Sequence, residues 1–322
     1  MKTIILTTLA LIVGLFAILE LGMRSLFGFG NPLIYIGDEN IGYLLAPNQK
    51  TRRFGNLIEI NQYSMRSESV NKKPASSTLR ILLLGDSIAN GGWWTDQKNT
   101  VSNLTMQALI PHLKKLSVST KSNFTKVEVL NASANSWGPR NELAYLQKFG
   151  SFDSLVIILL INTDDLFSTT PTSLPVGRDR NYPNRQPPLA IAEIFGRYII
   201  KQKPIPELAE MQNEQGDRVG TNLAAIAEIQ NFAGKSNSQL LLAMTPLLRE
   251  LGNPGPRDYE IKARKRLTDF TQERKITYID FLTILNSLEN PQDLYHDHIH
   301  FNLKGNQVIR DNLKTQLLQL WK

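Results

Sequence analysis

The chain has no cysteine among its 322 residues. Disulfides, thiolate metal sites and cysteine nucleophiles are therefore excluded, while the compartment stays open, because a cysteine-free chain suits either side of a membrane. Also missing are a G-x-S-x-G elbow, an H-E-x-x-H pair and a phosphate-cradling G-x-x-x-x-G-K. Charged residues make up only 20% of the chain. The formal net charge of +7 is spread along the sequence rather than gathered into a stripe, so no nucleic-acid partner is expected. The densest basic run is Lys262, Arg264, Lys265 and Arg266. It lies where Ile261, Leu267 and Phe270 form a helical stripe, so it reads as a solvated helix face. Histidine is scarce, and three of the four are His296, His298 and His300.

What is present begins with a long apolar run. Ile4–Leu19 carries no charge and continues through Glu20 to Met23 before Arg24. Taken as Ile4–Met23, the run is just long enough to cross a bilayer as a helix. No A-x-A pattern follows it, which favours an uncleaved anchor over a signal peptide. Residues 1–24 are therefore expected to form a single-pass transmembrane signal anchor. Lys2 and the terminal amine lie before the helix, which puts the large domain outside the cytoplasm, in the periplasm or at the cell surface.

Residues 25–79, rich in Gly, Asn and Pro, read as a stalk with a small β element near Leu57–Ile60. The main domain is expected over residues 80–322. Arg80–Leu84 and Leu155–Ile161 are apolar runs of the kind buried parallel strands show. Lys126–Leu130, Gln239–Met244 and Ile276–Ile279 read as further strands. Helices are expected at Thr100–Leu116, Asn141–Phe149 and Gly305–Lys322. This alternation implies a parallel sheet covered on both faces, with ligands bound beyond the carboxyl ends of its strands. Proline-rich residues 168–205 interrupt the pattern and read as an insertion beside the active site.

Two segments carry chemistry. Gly85-Asp86-Ser87 directly follows the strand at Arg80–Leu84. A serine there sits where backbone N–H groups can hold an oxyanion. Near the far end, Asp297-x-x-His300 lets one loop present a general base and the carboxylate that orients it. Each segment alone is weak: a turn in the first case, a helix-start aspartate in the second.

Together, strand-Gly-Asp-Ser at the start of an α/β domain and Asp-x-x-His before its last helix resemble the SGNH (GDSL-like lipase/esterase) hydrolase family. The resemblance runs from about Leu57 to the C-terminus. It implies a flavodoxin-like three-layer α/β/α sandwich with a central parallel sheet, Ser87 as nucleophile, His300 as base and Asp297 as orienting acid. It also implies an oxyanion hole built from Ser87, a glycine in the second block and an asparagine in the third. Here Ser136 stands at the glycine position and Asp164 at the asparagine position, with Asn162 as an alternative donor. An ionised aspartate cannot donate a hydrogen bond to an oxyanion.

Trp93, Trp94 and Trp137 follow these blocks closely. Trp93 and Trp137 are candidates for substrate stacking, against the ordinary reading of tryptophan as core. The three clustered histidines admit a zinc reading if they lie on a strand, but Asp297-x-x-His300 already has an explanation. No metal and no cofactor are expected. The resulting expectation is a serine esterase or O-acyltransferase acting on an ester-linked acyl group, such as the acetyl groups of envelope polysaccharide. The alternative is a catalytically impaired module of the same fold that binds polysaccharide or supports an envelope assembly system.

Overall fold

The computed structural model describes residues 1–120 and 122–321. It starts with α1 (Lys2–Phe27), whose exposed side chains are mostly apolar and which ends in a left-handed cap at Gly28. Its 26 residues rise about 39 Å, more than the ~30 Å hydrocarbon core of a bilayer. It is a candidate transmembrane segment. Two antiparallel hairpins follow, β1 (Tyr35–Asp38) with β2 (Gly42–Leu45) and β3 (Gln49–Arg53) with β4 (Asn56–Ile60). The chain then runs β5 (Thr78–Gly85), α2 (Ser87–Asn90), α3 (Val101–Leu109), α4 (Leu113–Ser119), β6 (Lys126–Ser133), α5 (Pro139–Phe149) and β7 (Val156–Asn162). After it come α6 (Ala190–Ile194), α7 (Pro206–Gln212), α8 (Arg218–Lys235), β8 (Gln239–Thr245), α9 (Asp258–Glu273), β9 (Thr277–Asp280), α10 (Phe281–Asn286) and α11 (Leu303–Leu320).

The central sheet has the order β6-β5-β7-β8-β9, with every pair parallel. Its strands are apolar on both faces because both faces are covered. Alternate residues point to opposite sides, which divides the core in two. Leu82, Leu84, Leu159 and Leu242 pack toward α5, α8 and the hairpins. Leu83, Ile158, Leu160 and Leu241 pack toward α3, α10 and α11. The result is a three-layer α/β/α sandwich. From β5, one connection leads to β6 on one side and the next reaches β7 on the other. That reversal opens a crevice beyond the carboxyl ends of β5 and β7.

Three expectations need correction. Residues 25–79 do not stand off as a stalk: Tyr35, Ile41, Tyr43, Leu45, Ile58 and Met65 bury into the same core as the sheet. The single helix expected at Thr100–Leu116 is broken at Pro111, which lacks the N–H a continuous helix needs and sits in a tight turn between α3 and α4. The basic run is not wholly solvated either. Lys262, Lys265 and Arg266 are exposed, but Arg264 is buried and donates to Glu250, Asp280 and Thr163.

Candidate active site

The carboxyl end of β5 leads straight into α2. Gly85 is required there, because a Cβ would come within 2.6 Å of the Leu160 carbonyl on β7 and 2.7 Å of Ala89. Asp86 caps α2 by accepting from the Ile88 N–H at 2.8 Å, and Ser87 is the first helical residue. The loop beyond α2 carries Trp93 and Trp94. It is held from below by the buried Arg66 guanidinium, which donates to the carbonyls of Asn90, Gly92 and Thr95.

The second segment is a tight loop before α11. Tyr295 bridges to Phe301 as an isolated β pair, and the Tyr295 hydroxyl donates to the Pro246 carbonyl at 2.8 Å. The Leu248 N–H donates to the His298 carbonyl at 2.9 Å. Asn302 caps α11 by accepting from Lys304 and Gly305. Gly305 lies so close to the loop that a Cβ would meet the Leu294 carbonyl at 2.4 Å.

The two segments, 213 positions apart in sequence, meet in space. His300 Nε2 lies 2.8 Å from Ser87 Oγ, and His300 Nδ1 lies 2.7 Å from Asp297 Oδ2. Asp297 also accepts the backbone N–H groups of Ile299 and His300 at 2.9 and 2.8 Å. Partial burial pushes its pKa up, but these three donors outweigh that and hold it at about 2. It is therefore ionised at neutral pH and fixes the imidazole's tautomer, leaving Nε2 free to accept the serine proton. Trp94 lies over His300 with ring centres 4.5 Å apart and stacks on His296 at 5.5 Å.

Ser87 and His300 open into a cleft of about 310 Å³, bordered also by Trp93, Trp94, Asn135 and Ser136. The insertion contributes Asn181, Tyr182 and Arg197 to its wall, and β3 contributes Arg53. Ser136 has φ 58°, left-handed backbone that glycine adopts without cost, which explains why a glycine is usual at this position. Its hydroxyl accepts from Tyr182 at 3.0 Å.

The remaining expected site residues do not reach the cleft. Asn162 is buried, and its amide nitrogen donates to Asp86 and Asp165 at 2.8 and 3.0 Å. Its side-chain oxygen accepts from the Asp164 N–H. Every polar atom of that side chain is thus committed inward, and Asn162 is not an oxyanion donor. Asp164 is exposed and outside the cleft lining. Desolvation raises its carboxyl pKa, with Arg249 opposing. Trp137 is 1% exposed and its indole N–H donates to the Tyr43 carbonyl, so it is core and cannot stack on a ligand. The histidines do not converge on a metal. His296 packs on Trp94, and the described residues hold no group of three His, Cys, Asp or Glu able to bind one.

Sequence reasoning passed over Asn135. It follows β6 by two residues, at the same carboxyl edge as Ser87, and borders the cleft while its Oδ1 is buried without a partner. Next to Ser87 in sequence, Asp86 belongs to a second overlooked feature, a group of buried acids with Asp165 and Glu142. Burial raises all three pKa values. The field of Asp86 adds to the rise at both Asp165 and Glu142. Neither Glu142 carboxyl oxygen has a hydrogen-bond partner.

Comparison with protein families matches residues 83–308 to the GDSL-like lipase/acylhydrolase family. The chain belongs to that family. It is thus an SGNH-type serine hydrolase, an enzyme of ester bonds. No curated protein matches the chain. Among solved structures, an acetyl xylan esterase is similar at 13% identity, covering 74% of this chain and 99% of that one, with TM-score 0.48. An acetylxylan esterase from Geobacillus stearothermophilus is similar at 13% identity over 76% of this chain and 95% of that one, TM-score 0.45. A lipase/acylhydrolase from Enterococcus faecalis is similar at 13% identity over 74% and 95%, TM-score 0.45.

Proposed function

We propose that this GDSL-like hydrolase is a membrane-anchored enzyme that removes or transfers an ester-linked acyl group through Ser87, His300 and Asp297, with its catalytic body outside the cytoplasm. The observation carrying this reading is the 2.8 Å separation of His300 Nε2 from Ser87 Oγ, with Asp297 behind the ring.

Ser87 Oγ attacks the ester carbonyl as its proton passes to His300 Nε2. A bond forms between Oγ and the acyl carbon, and the carbonyl oxygen becomes an oxyanion. The backbone N–H groups of Ser87 and Ser136 are the donors suited to that oxyanion. The Asn135 side chain supplies the third donor, in place of the committed Asn162 and the outlying Asp164. Collapse of the adduct breaks the bond to the alcohol, which takes the proton back from His300. Water or a sugar hydroxyl then attacks the acyl-Ser87 ester with His300 again as base, releasing the acid or a new ester.

Anchoring rests on the length and apolar surface of α1. The catalytic proposal is tested by p-nitrophenyl acetate turnover and fluorophosphonate labelling of wild type, Ser87→Ala and His300→Ala. Turnover should fall by at least about 10³ in both variants, and Ser87→Ala should take up no probe. Equal rates in all three proteins would remove the mechanism.

A further inference from the structure

The end of α1 is fastened to one short stretch of the insertion. The Glu20 carboxylate accepts the N–H groups of Ala190 and Ile191 at 2.7 and 3.1 Å, and Arg24 donates to the Pro188 carbonyl at 2.9 Å. Those contacts fix α6 and the single π turn after it, Phe195–Ile199, against the helix. The inward side of this stretch is polar and buried. Glu193 pairs with Arg53 at 2.9 Å and Arg197 at 2.7 Å, and also accepts from the Gly30 N–H. Both arginines border the catalytic cleft.

Its outward side is the reverse. Leu189, Phe195, Tyr198, Ile199 and Ile200 are between 39% and 68% exposed. Lys201 and Lys203 follow directly. A water-facing turn has no reason to display four large apolar side chains and a tyrosine together, whereas a contiguous apolar patch marks a protein or membrane contact. An amphipathic stretch with aromatic and aliphatic side chains on one face and lysines beside it is the composition of an element lying in the headgroup region.

The apolar surface does not stop there. Phe29 meets Tyr198 with ring centres 6.4 Å apart, and Phe54 meets Phe27 and Phe29 at 5.8 and 5.6 Å. Phe54 then meets Trp93 at 5.1 Å, Trp93 meets Trp94 at 5.7 Å, and Trp94 lies over His300. Phe27, Phe54 and Trp93 are all exposed. A run of rings therefore leads from the end of α1 to the catalytic histidine.

We infer that Leu189–Ile200, with Phe54 and Trp93, is a second membrane contact that seats the cleft mouth on the lipid surface, so that the ester this enzyme takes is one borne at that surface. The inference rests on the reading of α1 as a bilayer-spanning anchor. The occupant is lipid rather than a protein partner because the patch is continuous with α1, whose apolar surface needs the same solvent.

The absence of cysteine makes a direct test simple. Full-length protein with Ile199→Cys, Leu11→Cys or Lys235→Cys carries one environment-sensitive fluorophore in vesicles of phosphatidylcholine with a minor fraction of phosphatidylglycerol. Lys235 ends α8 at the amino edge of the sheet, away from the cleft. Quenching by doxyl groups placed near the headgroup should be strong at position 199 and absent at 235, and quenching by deep doxyl groups strong at position 11. Quenching at 11 with none at 199 overturns the second contact alone, while no quenching at 11 overturns the anchor and the contact with it. The triple variant Tyr198→Ser/Ile199→Ser/Ile200→Ser should lose on the order of tenfold in turnover of a vesicle-borne ester and nothing on soluble p-nitrophenyl acetate. Equal effects on the two substrates would overturn the functional half of the inference.

Discussion

Asn135 and Glu142 make opposite uses of burial. Asn135 borders the cleft, and the proposed chemistry assigns its side-chain amide the oxyanion. Asn135→Ala should then lower kcat by about 10²–10³ with little change in KM, measured by steady-state turnover. A matching change confined to KM would leave the residue a substrate contact only. Glu142 faces inward with no partner, and burial raises its pKa, with Asp86 adding to the effect. A carboxyl that binds its proton more tightly folded than unfolded contributes stability below its unfolded pKa and loses it as pH rises above that value. Glu142→Gln has no proton to lose. It should raise Tm by a few °C at pH 8 and by less at pH 5, checked by thermal melts across that range. An equal shift at both pH values would show that ionisation is not what limits the site.

At the scale of elements, the sheet is steadied at its carboxyl edge by ions as well as by leucines. Arg264 on α9 is the only described partner of the Glu250 carboxylate that carries a charge, and it also donates to Thr163 just past β7 and Asp280 at the end of β9. Arg264→Ala leaves Glu250 buried beside a vacancy. It should cost about 3–5 kcal/mol, read by urea unfolding. Arg266→Ala, whose partner Asp217 is exposed, should cost under ~1 kcal/mol. The run that looked uniformly solvated thus holds one structural arginine. Helical periodicity could not single it out, since what buries Arg264 is a glutamate on a different loop.

For the whole molecule, the readable part was the sheet. Apolar runs such as Leu155–Ile161 signal buried strands without help from tertiary contacts, and Gly85-Asp86-Ser87 and Asp297-x-x-His300 stand out because their spacing is local. The illegible part is what depends on distant packing. Nothing local distinguishes Trp93, at the cleft, from Trp137, sealed beneath Tyr43. Nothing in residues 25–79 indicates that their tyrosines enter the main core. Arg53 and Arg197 reach the cleft only because Glu193 gathers them from β3 and the insertion, a meeting no motif records.

Only Gly28 to Ile34 separates the last turn of α1 from β1, and Glu20 and Arg24 bolt the final two turns of the helix to the body. An enzyme mounted in this way has no tether on which to swing. With α1 in a bilayer as proposed, its working height above the hydrocarbon is set once, and what it can reach is a thin layer that travels with it. Under that proposal encounter becomes a search in two dimensions, governed by lateral diffusion and by how many molecules share a patch of membrane.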